Sequence, residues 1–154
     1  MIKSWVTAAA VVLIAVALSG CSAPVRSFQI YEYQCCSAAD IETIYSPGQT
    51  VALHWTPHRV TRDSPRVPSE STISVKLYGP YSSVSSIKGS PTTPTGSPLA
   101  IAKPLHPSVT VAQRGLSSDL PIPADARPGY YSVVITTTWS LGNSDEGSAI
   151  IQVK

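Results

Sequence analysis

Residues 71–80 read STISVKLYGP. Ile73, Val75 and Leu77 alternate with Ser74, Lys76 and Tyr78, so a chain with a two-residue side-chain period turns the first set inward and the second outward. Gly79-Pro80 then supplies a turn. This is the pattern of a half-buried β-strand, and three more stretches repeat it. In QTVALHWTP (49–57), Val51, Leu53 and Trp55 share one face, while Ala52, His54 and Thr56 share the other. GYYSVVITTTW (129–139) places Tyr131, Val133 and Ile135 inward, and SAIIQVK (148–154) does the same with Ala149, Ile151 and Val153. Pro47-Gly48, Pro128-Gly129 and Gly142-Asn143 punctuate the runs. Short alternating strands separated by such turns predict an all-β, antiparallel sandwich. The 14 prolines, most of them between the apolar runs, leave little room for long helices. DIETIYSPG (40–48), just before the second run, reads as an edge strand in preference to a helical turn started by Ser37.

Two of these pieces resemble immunoglobulin and fibronectin type III domains. VALHWTP is similar to the second strand of the type III fold, where an inward tryptophan is followed by a proline. PADARPGYYSVVI (123–135) is similar to the penultimate strand, where Pro-Gly leads into a tyrosine and alternating valines. The resemblance implies an immunoglobulin-like sandwich of about seven strands over residues 27–154. It also implies a corner tyrosine at Tyr131, ring in the core and hydroxyl bonded to backbone. Departures from the family are long connections at 57–70 and 80–106 and the lack of a cysteine pair placed to bridge two sheets.

The N-terminus carries an address. Lys3 precedes the apolar run Val6–Leu18, whose 13 residues fall short of the roughly 18 needed to span a bilayer. Leu18-Ser19-Gly20-Cys21 resembles the lipobox of bacterial prolipoproteins: an aliphatic residue, two small ones, then cysteine. The resemblance implies cleavage between Gly20 and Cys21 and acylation of the Cys21 thiol. On this reading residues 1–20 are a signal peptide and 21–26 a lipidated tether. The protein is then held on the extracytoplasmic side of a cell membrane, outer surface or periplasm, by lipid and not by a span.

Removing residues 1–20 leaves 134 of 154 residues, enough for one domain with a core. With 11 Lys and Arg against 9 Asp and Glu, no basic stripe is available for nucleic acid, which is excluded as a partner. Residues 81–98, YSSVSSIKGSPTTPTGSP, are rich in Ser, Thr, Pro and Gly and read as a long loop with little to bury. On an exported protein, Thr92, Thr93 and Thr95 are candidates for O-glycosylation.

Catalytic signals are weak. Ser85-Ser86-Ile87-Lys88 matches S-x-x-K, but those enzymes need further motifs in a much larger domain, so the match is read as coincidence. His54 and His58 on one extended strand stand about 13 Å apart, too far for a single ion. His54 is therefore expected to face solvent, His58 and His106 to lie in loops, and all three to lack a partner. Asp145 and Glu146 fall in an expected turn, and nothing brings Asp119 or Asp125 to them. No catalytic residue, metal or cofactor is predicted. Tyr130, Val134 and Trp139 sit near the penultimate strand and Ile150 points outward from the last; they suggest either a face for a protein or glycan partner or the floor beneath the long loop.

Cys35 and Cys36 remain. A bond between neighbours requires a distorted or cis peptide, since trans Cα atoms lie 3.8 Å apart and ordinary disulfides prefer about 4.4–6.8 Å. The alternatives are a vicinal disulfide, a buried cysteine with an inert neighbour, an intermolecular bond, a thiol-redox role, or a soft metal such as Cu(I). The leading expectation is a lipoprotein acting as a non-enzymatic binding module. The alternative is an envelope metal-binding or thiol-redox protein using this pair.

Overall fold

A computed structural model describes residues 24–91 and 94–154. The segment expected to be a signal peptide (1–20, with Gly20), Cys21, Thr92 and Thr93 lie outside the described residues.

Among the described residues, eight strands form two sheets. In the first, β1 (Arg26–Gln34), β3 (Thr50–Ser64) and β6 (Leu116–Pro121) run antiparallel in the order β1-β3-β6. The second has five strands in the order β2-β8-β7-β4-β5. These are β2 (Ile44–Tyr45), β8 (Ser144–Val153), β7 (Gly129–Trp139), β4 (Ser71–Tyr81) and β5 (Ala100–Ile101). All its pairs are antiparallel except β2, which lies parallel to β8, so this sheet is mixed and the expectation of purely antiparallel pairing is corrected there.

The alternation read from the sequence places the core. Val51, Leu53, Trp55 and Leu120 from the first sheet meet Ile73, Val75, Leu77, Tyr131, Val133, Ile151 and Val153 from the second in one buried cluster. Register explains the meeting: Val51 lies opposite Leu120, Val75 opposite Ile135, and Tyr131 opposite Ile151, so inward residues of neighbouring strands stack in layers. Ile135 and Ala149, also inward, are only partly buried, because the gap between the sheets opens sideways at their level. The Tyr131 ring is fully buried and its hydroxyl donates to the Arg127 carbonyl at 2.6 Å. Gly79 makes room for that ring: with φ +145, a Cβ there would stand 2.7 Å from Tyr131 Cδ1.

Three other expectations are corrected. Residues 81–98 are not structureless: Val84–Lys88 forms a helical turn, α2, with Ser83 Oγ accepting from the Ser86 amide at 3.2 Å. Ile87, its apolar side chain, is buried, and α2 lies against β4 and β7. The face carrying Tyr130, Val134 and Ile150 is therefore the floor beneath this segment. Val134 and Ser132 are 2% exposed, and Ile87, Pro91 and Pro94 line a groove of about 240 Å³ with Ser132, Ser148 and Ile150. Secondly, Asp145 and Glu146 lie in β8, with the turn at 140–143 before them. Thirdly, the stretch before β3 is both things at once: a helical turn, α1 (Ala38–Ile41), and then the edge strand β2.

Candidate functional site

β1 belongs to the three-stranded sheet and β2 to the five-stranded one, so residues 35–43 carry the chain across the open side of the sandwich. Cys35 and Cys36 begin the crossing. They are joined through their sulfurs across a cis peptide, with Cα atoms 3.1 Å apart, and pack partly buried against the core.

Ser37 starts α1, and Asp40 locks it. The Asp40 carboxylate accepts from the Ser37 amide at 3.0 Å, from the His54 amide at 3.2 Å, and stands 2.8 Å from His54 Nδ1. A carboxylate can only accept, so Nδ1 carries the proton and donates. The Tyr45 hydroxyl donates to the Asp40 carbonyl at 2.7 Å. One residue thus ties α1 to β3 and, through Tyr45, to the second sheet. Burial raises the Asp40 carboxyl, but the hydrogen bonds from His54 and Ser37 outweigh it and hold the group below its ordinary value. Burial, with the Asp40 charge beside it, pushes the Tyr45 hydroxyl up.

Above this lock lies a cleft of about 400 Å³ between the sheets. Its walls are Tyr33, Cys35, Cys36 and Trp55 on one side and Ile135 and Ala149 on the other. The indole Nε1 of Trp55 donates to Ser118 Oγ at 3.0 Å, fixing the ring at the cleft floor. Tyr33 is anchored too: its hydroxyl donates to the Ser108 carbonyl at 2.9 Å and accepts from the Gln113 amide at 3.1 Å. A rigid apolar trough with a disulfide at its lip suits aromatic or aliphatic groups of a partner.

The remaining residues singled out in the sequence are dispersed. His54 faces solvent as expected but is not without a partner, since Asp40 holds its ring. His58 is in β3, opposite Glu32, and not in a loop; His106 is in a loop, with Nδ1 3.1 Å from Thr72 Oγ1. Ser85 and Lys88 sit on α2, both exposed, with no hydrogen bond between them. Thr95 is exposed. Among the described residues no group of three or more His, Cys, Asp or Glu is gathered to hold a metal ion, and no helix is long and apolar enough to cross a membrane.

The Asp40–His54 pair was missed in the sequence. The one local signal was Ser37-x-x-Asp40, a helix-start spacing with Asp in place of the usual Glu or Gln. No protein-family model matches this chain, and no curated protein matches it.

Proposed function

We propose that the chain is a lipid-anchored envelope protein whose immunoglobulin-like sandwich works as a non-enzymatic binding module for a protein or glycan. The observation that carries the binding reading is the cleft at the sheet crossover: apolar, open, and walled by side chains that hydrogen bonds hold in place. The family reading is supported by strand order. β1-β3-β6 opposite β8-β7-β4-β5 follows the A-B-E and G-F-C-C′ arrangement of immunoglobulin domains, and Tyr131 bonds back to Arg127 as a corner tyrosine would. The anchor reading is supported by Leu18-Ser19-Gly20-Cys21 at the end of its apolar run.

A photo-crosslinking residue at Gly147, opposite Ile135 on the inward side of the cleft wall and with open space for a side chain, tests the binding reading in native membranes. A discrete adduct that disappears when Ala149→Trp fills the trough is expected; the same adducts with and without that substitution would remove the cleft as the binding surface. The anchor is tested by the intact mass of the membrane-derived protein, where a diacylglycerol adduct on Cys21 is expected and a retained residue 1–20 segment would overturn it.

The joined pair Cys35–Cys36 at the cleft lip favours one second reading, a thiol-redox role. Thiol–disulfide exchange with a small dithiol separates the two: a redox protein turns the dithiol over and loses that activity in Cys35→Ser/Cys36→Ser, whereas a binder shows the cleft adduct and no turnover.

A further inference from the structure

Three segments converge where β1 begins. Arg26 pairs with Ser64, the end of β3, and Ser71, the start of β4, pairs with Trp139, the end of β7. The connection at 65–70 and the turn at 140–143 are then stitched together: the Ser69 amide donates to Ser140 Oγ and the Ser140 amide to the Glu70 carbonyl, each at 3.1 Å. The result is one tip of the sandwich.

Its surface is amphipathic. Val25, Val67 and Leu141 are 67%, 52% and 40% exposed, three of the seven large hydrophobic residues most open to solvent. Trp139 and Leu141 share a groove of about 300 Å³ with Phe28, Pro68 and Arg66. Arg62 is engaged by Glu32, and Asp63 by Ser27. Among the described residues, no ion pair engages the guanidinium of Arg26 or Arg66. Aliphatic side chains, an indole and two long cationic stems are the groups that settle at a membrane–water interface.

Chain length places this tip. Cys21 is five residues before Arg26, and five residues span at most about 18 Å. We propose that the tip formed by Val25, Val67, Trp139 and Leu141 docks into the interfacial layer of the membrane that holds the Cys21 acyl chains. The proposal rests on the anchor reading for its geometry. Asp63 and Asp145 line the same groove as Arg66, so apolar burial, not bilayer charge, drives the contact. β1 then rises from the bilayer for nine residues, about 30 Å, and lifts the Cys35–Cys36 cleft away from the lipid toward the space where a partner arrives.

Brominated phosphatidylcholine tests this with the full chain purified from its membrane and reconstituted in vesicles. The readout is the quenching lost on Trp139→Phe, which separates Trp139 from the core residue Trp55 and from Trp5 if that segment is retained. We expect most of the Trp139 emission to be quenched, equally in zwitterionic and anionic vesicles, and the quenching to fall sharply in Val67→Ser/Leu141→Ser. An acylated, vesicle-bound protein whose Trp139 is not quenched overturns the docking while leaving the anchor intact. If the mass shows no acyl group, the anchor reading falls and the tip is judged alone: quenching of the unacylated chain by added vesicles upholds docking, and its absence overturns it. Quenching that appears only in anionic vesicles overturns the apolar contact.

Discussion

Two segments without long strands lie on this sandwich, and they are held by opposite means. Residues 35–43 cross from one sheet to the other under a buried carboxylate, with Asp40 reaching Ser37 and His54. The segment after Tyr81 lies on the outer face of the second sheet under a buried aliphatic group, Ile87. The polar fastening is directional and depends on the one carboxylate that its partners share; the apolar one is non-directional and tolerates repacking. The first segment borders the cleft and must hold a wall in place. The second only has to cover a face.

Substitutions probe that contrast from the strongest effect to the weakest. Asp40→Ala strands two amide groups at once and is expected to cost about 3 kcal/mol in urea unfolding, with the cleft disordered in the folded state. Ile87→Ala removes apolar packing alone, for about 2 kcal/mol at this rim position, and leaves the cleft unchanged while Val134 gains hydrogen-exchange exposure of its strand. Equal effects of both substitutions on the cleft would break the distinction.

Acid sharpens it. The Asp40 carboxyl is held below its ordinary value of 3.8, so its stabilisation is complete above that pH and is lost as pH falls below it through the folded-state value. The wild type is expected to lose stability there, and Asp40→Asn to lose less over the same window in parallel denaturation curves. His54→Ala is the mildest change. Its ring is largely solvated and the backbone amide bond to Asp40 survives, so a loss of about 1 kcal/mol or less is expected.

The legible part of the fold was the part governed by local periodicity. In β3, β4, β7 and β8, inward and outward residues alternate in the sequence, and the core residues follow directly. β6 was not legible, because its inward positions are Leu116, Ser118 and Leu120, and a serine interrupts the apolar series. That serine is inward for a reason found on another strand: it takes the Trp55 indole proton. α2 was hidden by its composition, since Val84 is only half-buried and one isoleucine, Ile87, carries most of its burial. The cleft and the Asp40–His54 bond were the least legible. They join residues brought together only when β1 and β2 enter different sheets, which no local pattern states.

β2 covers only the last part of one strand. It pairs with Gln152 and Val153, so, among the described residues, positions 144–151 of β8 have a strand neighbour on the β7 side alone. An uncovered row of amide and carbonyl groups is a template on which another chain can polymerise. Asp145 stands at the start of that row and Gly147 close behind it, a charge and a poor strand former placed where an incoming copy would have to align. Under the proposed anchor, chains held in two dimensions would meet one another far more often than chains in solution. There, a charge at the start of the β8 edge would work against neighbouring copies growing into a continuous sheet.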